Sequence, residues 1–153
     1  MTPVQIVSLV VGLLVLQVAV WVPILLVLRR KNAQLMTKLG ADVAASGEKL
    51  LRGPEPALYR GATDRFSKAS GNGVVALTDK RLVIRKIVGA GCEVPLVDVQ
   101  AVRDDKWFRS GYKGGRLHVI LQLAGGTELG FIVQQRAHAA WMEAFRERIS
   151  ARS

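Results

Sequence analysis

The first charged side chain in this sequence is Arg29. Of the 28 residues from Met1 to Leu28, 21 are apolar, and from Val4 to Leu28 only Gln5, Ser8 and Gln17 are strongly polar. Wound as a helix at about 1.5 Å per residue, Val4 to Leu28 is roughly 37 Å long. That exceeds the ~30 Å hydrocarbon layer of a bilayer, so the segment reads as a tilted transmembrane helix. Trp21 lies toward one end, where aromatic residues favour the headgroup boundary. Pro23 is tolerated in such a helix, because neighbouring groups re-satisfy the freed carbonyl. A cleaved signal peptide fits poorly. It would want a basic start, an apolar run of roughly 7–15 residues and a small-x-small cleavage site, and none of these is present.

Every charge belongs to the 125 residues after Leu28, where 22 Lys and Arg against 12 Asp and Glu give a formal charge of +10. Arg29, Arg30 and Lys31 form a collar directly after the apolar run, and Lys38 follows. No basic residue precedes the helix, so the positive-inside rule puts the C-terminal part in the cytoplasm and the N-terminus outside, as in a single-pass inner-membrane protein. Cys92 is the one cysteine, which agrees with a reducing compartment. Ser8 and Gly12 make one small-xxx-small pair, a weak sign of helix pairing. Oligomeric state is left open.

Beyond the collar, Leu35, Met36, Leu39 and Val43 recur at helical spacing, predicting an amphipathic extension that lies at the interface or serves as a stalk. Gly47 and Gly53-Pro54-Glu55-Pro56 read as a linker. Period-two patterning follows, with strands expected over 57–63, 73–78, 81–88, 100–106, 117–123 and 127–133. Glu93 to Leu96 reads as a short link, and Trp107 to Gly115 as a long loop. Ile120 breaks the alternation of Leu117, Val119, Leu121 and Leu123, so the outer face of that strand is expected to be partly covered. Gln135 to Ser150 places Trp141, Phe145 and Ile149 on one stripe, the pattern of a helix capping a sheet. The expected class is α+β, mainly β, with three parts: an anchor with its basic collar (1–31), an amphipathic stalk and linker (32–56), and a β domain (57–153).

The stretch Gly73-Val74-Val75-Ala76-Leu77-Thr78-Asp79-Lys80-Arg81-Leu82-Val83-Ile84, followed by Glu93-Val94-Pro95-Leu96-Val97-Asp98-Val99, resembles bacterial pleckstrin-homology-like domains and the related GRAM domains. A "G-hydrophobic-x-x-L-T-x-x-R-L" hairpin there precedes an "I-P-L-x-D-I"-like link. The resemblance spans roughly Gly47 to Ser150. It implies a barrel of about six or seven antiparallel strands closed by a helix with a prominent tryptophan, here Trp141. It also implies a binding module acting on lipid headgroups, peptides or neighbouring proteins, without catalysis. In lipid-binding members the headgroup is held by basic residues of the first two strands and their loop. Arg65 and Lys68 match that region in place, without the tight basic-x-basic spacing.

The bottom-up reading of the same residues rests on charge. Arg60, Arg65, Lys68 and Arg85 are candidate lipid or partner contacts, weighed against an ordinary solvated strand face. The segment 107–116 is more unusual, with Trp107, Phe108 and Tyr112 interleaved with Arg109, Lys113 and Arg116 among three glycines. Such a loop suits a headgroup layer, where each cation near an anionic leaflet contributes ~1 kcal/mol. Its alternative is that Trp107 and Phe108 tuck under the sheet. Nucleic acid would suit the same residue types but not a membrane anchor. His118 and His138 read as surface histidines, Asp104 and Asp105 point to opposite faces, and no metal-ligand spacing or phosphate loop occurs, so no enzyme, metal or cofactor is expected. Membrane lipids are the expected partner. A protein-interaction scaffold, or a subunit of a membrane complex, is the alternative.

Overall fold

A computed structural model describes residues 2–152. One helix, α1, runs without a break from Pro3 to Ser46. From Val4 to Val27 its large apolar side chains stand 43–73 % exposed. This segment is long and apolar enough to cross a membrane. The extension expected from Leu35, Met36, Leu39 and Val43 is the same helix continued. Gly40 does not end it. Gly47 does end it, in the left-handed conformation at φ 70°, its N–H bonded to the Ala44 carbonyl at 3.3 Å.

Nine strands and a final helix follow: β1 (Leu50–Ala62), β2 (Gly71–Thr78), β3 (Arg81–Lys86), β4 (Cys92–Pro95), β5 (Val99–Asp105), β6 (Trp107–Phe108), β7 (Gly111–Tyr112), β8 (His118–Leu123), β9 (Glu128–Ile132) and α2 (Gln135–Ser150). A seven-stranded antiparallel sheet has the order β4-β3-β2-β1-β9-β8-β5, and β6 pairs with β7 in a small hairpin of its own. The class is α+β, mainly β.

Three local expectations change. The first strand starts at Leu50, not Ala57, and absorbs the Gly-Pro-Glu-Pro stretch with register shifts between Leu50 and Glu55. Its prolines are accommodated because this half of β1 pairs only with β2. Pairing with β9 begins at Leu58, so no ladder on the other side needs their missing N–H groups. The segment expected as a link at Glu93 is β4, paired with β3 from Arg81↔Pro95 to Ile84↔Cys92. The expected long loop contains β6 and β7.

The inner face of the sheet carries the main core. Val75, Leu77, Leu82, Ile84, Val119, Leu121, Leu129 and Phe131 close on Trp141 and Phe145 of α2, all 1 % exposed or less. The rings of Phe131, Trp141 and Phe145 meet at centroid distances of 5.7–6.5 Å. Trp141 Nε1–H donates to Glu55 at 3.1 Å, which satisfies the indole's polar end. The β2–β3 turn is held as its residues suggested. The Thr78 hydroxyl accepts the N–H groups of Lys80 and Arg81 at 3.2 and 3.0 Å.

The outer face is covered twice. Leu39 and Val43 of α1 pack on Val74, Ala76 and Val83, with Leu35 and Met36 alongside. This explains why β2 reads as a continuous apolar run and not an alternating one. On the other half, Phe108 lies over Gly130, where a Cβ would come within 2.5 Å of its ring, and 6.3 Å from the His118 ring. The coverage expected from Ile120 is therefore real, since both His118 and Ile120 are fully buried.

Candidate functional site

The hairpin β6–β7 divides the aromatic segment by role. Phe108, 4 % exposed, is its foot on the sheet, whereas Trp107 and Tyr112 stand 58 % and 50 % exposed with ring centroids 5.2 Å apart. Two large rings stacked outside the core are an unusual use of apolar surface. The turn between the strands places Arg109 and Ser110 at positive φ, 50° and 62°. Arg109 Nη1 donates to the Lys68 carbonyl at 2.6 Å, tying the hairpin to the loop after β1. Gly111 sits against the Arg60 guanidinium with no room for a side chain between them. Lys106, Arg109, Lys113 and Arg116, before, within and after the hairpin, are exposed.

Ion pairing sorts the other candidates. Arg85 is bound to Glu93 at 2.6 Å, and Glu93 also pairs with Arg81, which reaches Glu48 at 3.1 Å. The two guanidiniums hold the Glu93 carboxyl below the ordinary carboxylate range. Arg65 faces Asp98 at 3.4 Å. These cations have partners, whereas Arg60 and Lys68 make no ion pair among the described residues, and neither do Arg29, Arg30 and Lys31 of the collar. Lys86, from the same basic strand, is turned inward to Ser67 and the Ala69 carbonyl.

Both histidines correct the expectation of surface positions. His118 lies beneath Phe108 with Nδ1 3.0 Å from the Asp105 carbonyl, and its Nε2 is buried without a partner. Burial, with Arg60 nearby, lowers its pKa. His138 is buried on α2, its Nε2 3.2 Å from Asp104. Period-two patterning assigned His118 to the outer face correctly; what it lacks is any sign that a distant Phe would roof it.

Between the two covers of the outer face runs a seam. It is lined by Asn32, Leu58, Asn72, Arg116, Ile132 and Gln134, with a volume of about 160 Å³. Arg116 Nη2 donates to the Val133 carbonyl at 3.4 Å, and Asn32 Oδ1 is buried without a partner. Asn32 directly follows the collar, so Arg116 and the hairpin lie on the collar's side of the domain. Asn32, Asn72 and Gln134 carry no motif, and only the folded chain brings them together.

No known protein family's profile matches this chain, and no curated protein matches it. Among solved structures, it is similar to the C-terminal domain of an unknown protein from Leishmania infantum, at 13 % identity and TM-score 0.46, covering 67 % of this chain and 88 % of that one. It is also similar to the N-terminally truncated linker-DH/PH domains of p115-RhoGEF, at 14 % identity and TM-score 0.46, covering 68 % of this chain. It spans 30 % of that second chain's length.

Proposed function

We propose that this protein is a membrane-anchored, pleckstrin-homology-like binding module, not an enzyme, whose β6–β7 hairpin engages anionic lipid headgroups. The observation that carries the reading is the exposed Trp107–Tyr112 pair, with the exposed Lys106 and Lys113 adjoining it in the chain. Aromatic rings with an apolar body and a polar edge suit the headgroup boundary. The adjoining cations add attraction that acts within about 8 Å at physiological salt. The helical anchor holds the domain at high effective concentration beside the bilayer, so weak contacts suffice. The basic collar supports, by the positive-inside rule, a domain on the cytoplasmic face of an inner membrane.

The test uses the full chain, with Trp21 replaced by Phe, reconstituted in phosphatidylcholine vesicles with and without phosphatidylglycerol, and the spectrum of the same chain carrying Trp107→Phe is subtracted to remove Trp141. Trp107 emission should shift to the blue and be quenched by brominated acyl chains only when phosphatidylglycerol is present. Lys106→Glu with Lys113→Glu should abolish the shift. Identical Trp107 emission in both vesicles would remove the lipid reading. The exposed pair would then be an anchor for a membrane-protein partner, identified by crosslinking from position 107 in native membranes.

A further inference from the structure

The seam between the two covers of the sheet has its own chemistry. It lies at Asn32, four residues past the last apolar residue of the membrane segment, which is about 6 Å along a helix axis. The headgroup zone on each side of a bilayer is about 5–8 Å deep, so the seam opens within it. Its volume of about 160 Å³ is room for about five waters, enough for a phosphate with a short polyol. The lining separates into two kinds. Leu58 and Ile132 form an apolar wall, and Arg116 with the carboxamides of Asn32, Asn72 and Gln134 forms a polar one.

The polar wall fits one ligand chemistry. Arg116 is exposed, makes no ion pair among the described residues and commits one nitrogen to the Val133 carbonyl, leaving the rest of its fork for a phosphate. Asn32 Oδ1 is buried out of a ligand's reach, whereas the exposed carboxamides of Asn72 and Gln134 are free to meet hydroxyls. Carboxamides donate and accept, so they match a headgroup that carries hydroxyls as well as a phosphate. With no carboxylate among the lining residues, nothing repels an anion.

We infer that this seam is a seat for a single phosphatidylglycerol-type lipid, its phosphate on Arg116 and its glycerol hydroxyls on Asn72 and Gln134. The lipid fills the gap between the stalk helix and the hairpin's flank. This deepens the lipid-binding reading above but does not use the Trp107–Tyr112 pair, so the two can fail separately.

Native mass spectrometry of the full chain, released from mixed phosphatidylcholine and phosphatidylglycerol nanodiscs into mild detergent, counts the lipids that remain. The unmodified chain should retain one phosphatidylglycerol in preference to phosphatidylcholine. Arg116→Gln combined with Asn72→Leu should lower that occupancy at least fivefold, and Arg116→Lys should restore part of it in the single variant. Trp107→Ser with Tyr112→Ser should leave it unchanged even where vesicle docking is lost. Circular dichroism reports that each variant is folded. Equal retention of the two lipids by the unmodified chain, or unchanged occupancy in the Arg116→Gln, Asn72→Leu variant, would overturn the seat. Loss of the lipid only in the Trp107, Tyr112 variant would do the same.

Discussion

The two covers of the sheet's outer face do the same job with opposite materials. The stalk half of α1 lays Leu39 and Val43 on Val74, Ala76 and Val83, apolar against apolar. The β6–β7 hairpin has one apolar foot, Phe108, set down among Arg60, Gly130 and His118. Fully burying one Leu or Val contributes about 1.5–3 kcal/mol, so the first cover is part of the folded core. The second gains one ring's worth and encloses the unpartnered Arg60 Nε and His118 Nε2. Covers of the second kind are drawn from the low-stability end of a protein, where binding surfaces are usually found.

The comparison is broken most directly at the stalk. Leu39→Ala should cost about 2–5 kcal/mol, as core truncations do, and lower the stability of the whole domain. Guanidinium unfolding of the full chain in micelles, followed by the near-ultraviolet circular dichroism of Trp141, measures it. A loss below 1 kcal/mol would mean that the stalk rests on the sheet without stabilising it.

Gly130→Ala sharpens the other side. Its new methyl would lie 2.5 Å from the Phe108 ring, so the ring must leave, at a cost of about 1–3 kcal/mol. Hydrogen exchange should quicken at Gly111 and Tyr112 and stay unchanged at Val74 and Ala76. Equal acceleration at both sites would show that the two covers are one cooperative unit.

A smaller effect is expected with pH. His118 has a lowered pKa in the folded chain, whereas the unfolded chain protonates near 6.5. Above 6.5 the residue is neutral in both states and its contribution is fully present. As pH falls below 6.5 the unfolded state takes up the proton first, so stability declines until the folded pKa is reached, at no more than about 1.4 kcal/mol per pH unit. His118→Gln should flatten that part of the curve. A curve already flat between pH 6.5 and 5 would place His118 in contact with water. The smallest change is expected from Trp107→Ser with Tyr112→Ser, within about 0.5 kcal/mol in stability while vesicle docking is lost. A larger loss would make the exposed rings part of the fold.

Periodicity revealed what depends on neighbours along the chain. The extent of α2, the Thr78 turn and the β8–β9 hairpin are all set by local alternation and turn residues, and all were legible. The start of β1 was not, because Gly53-Pro54-Glu55-Pro56 has the composition of a linker and becomes a strand only through having one partner at that point. For the same reason the candidate site was half legible. Three aromatics in ten residues marked the segment, but which ring is the foot and which two are free depends on Gly130, a residue with no signal of its own. Charge was least readable. Arg85 and Arg65 look like Lys113 in a sequence, and only folding brings Glu93 and Asp98 to the first two. The seam was invisible, since Asn32, Asn72, Arg116 and Gln134 come from four separate places along the chain.

The absence of a break in α1 between Leu28 and Ser46 has a mechanical consequence. With Leu39 and Val43 clamped to the sheet, the domain has no hinge and cannot swing like a weight on a string. What remains is spin about the helix axis, so each surface feature sweeps a circle about that axis. The 15 residues from Asn32 to Ser46 span roughly 22 Å of it. A domain carried on such a helix searches an annulus about the helix axis instead of a sphere.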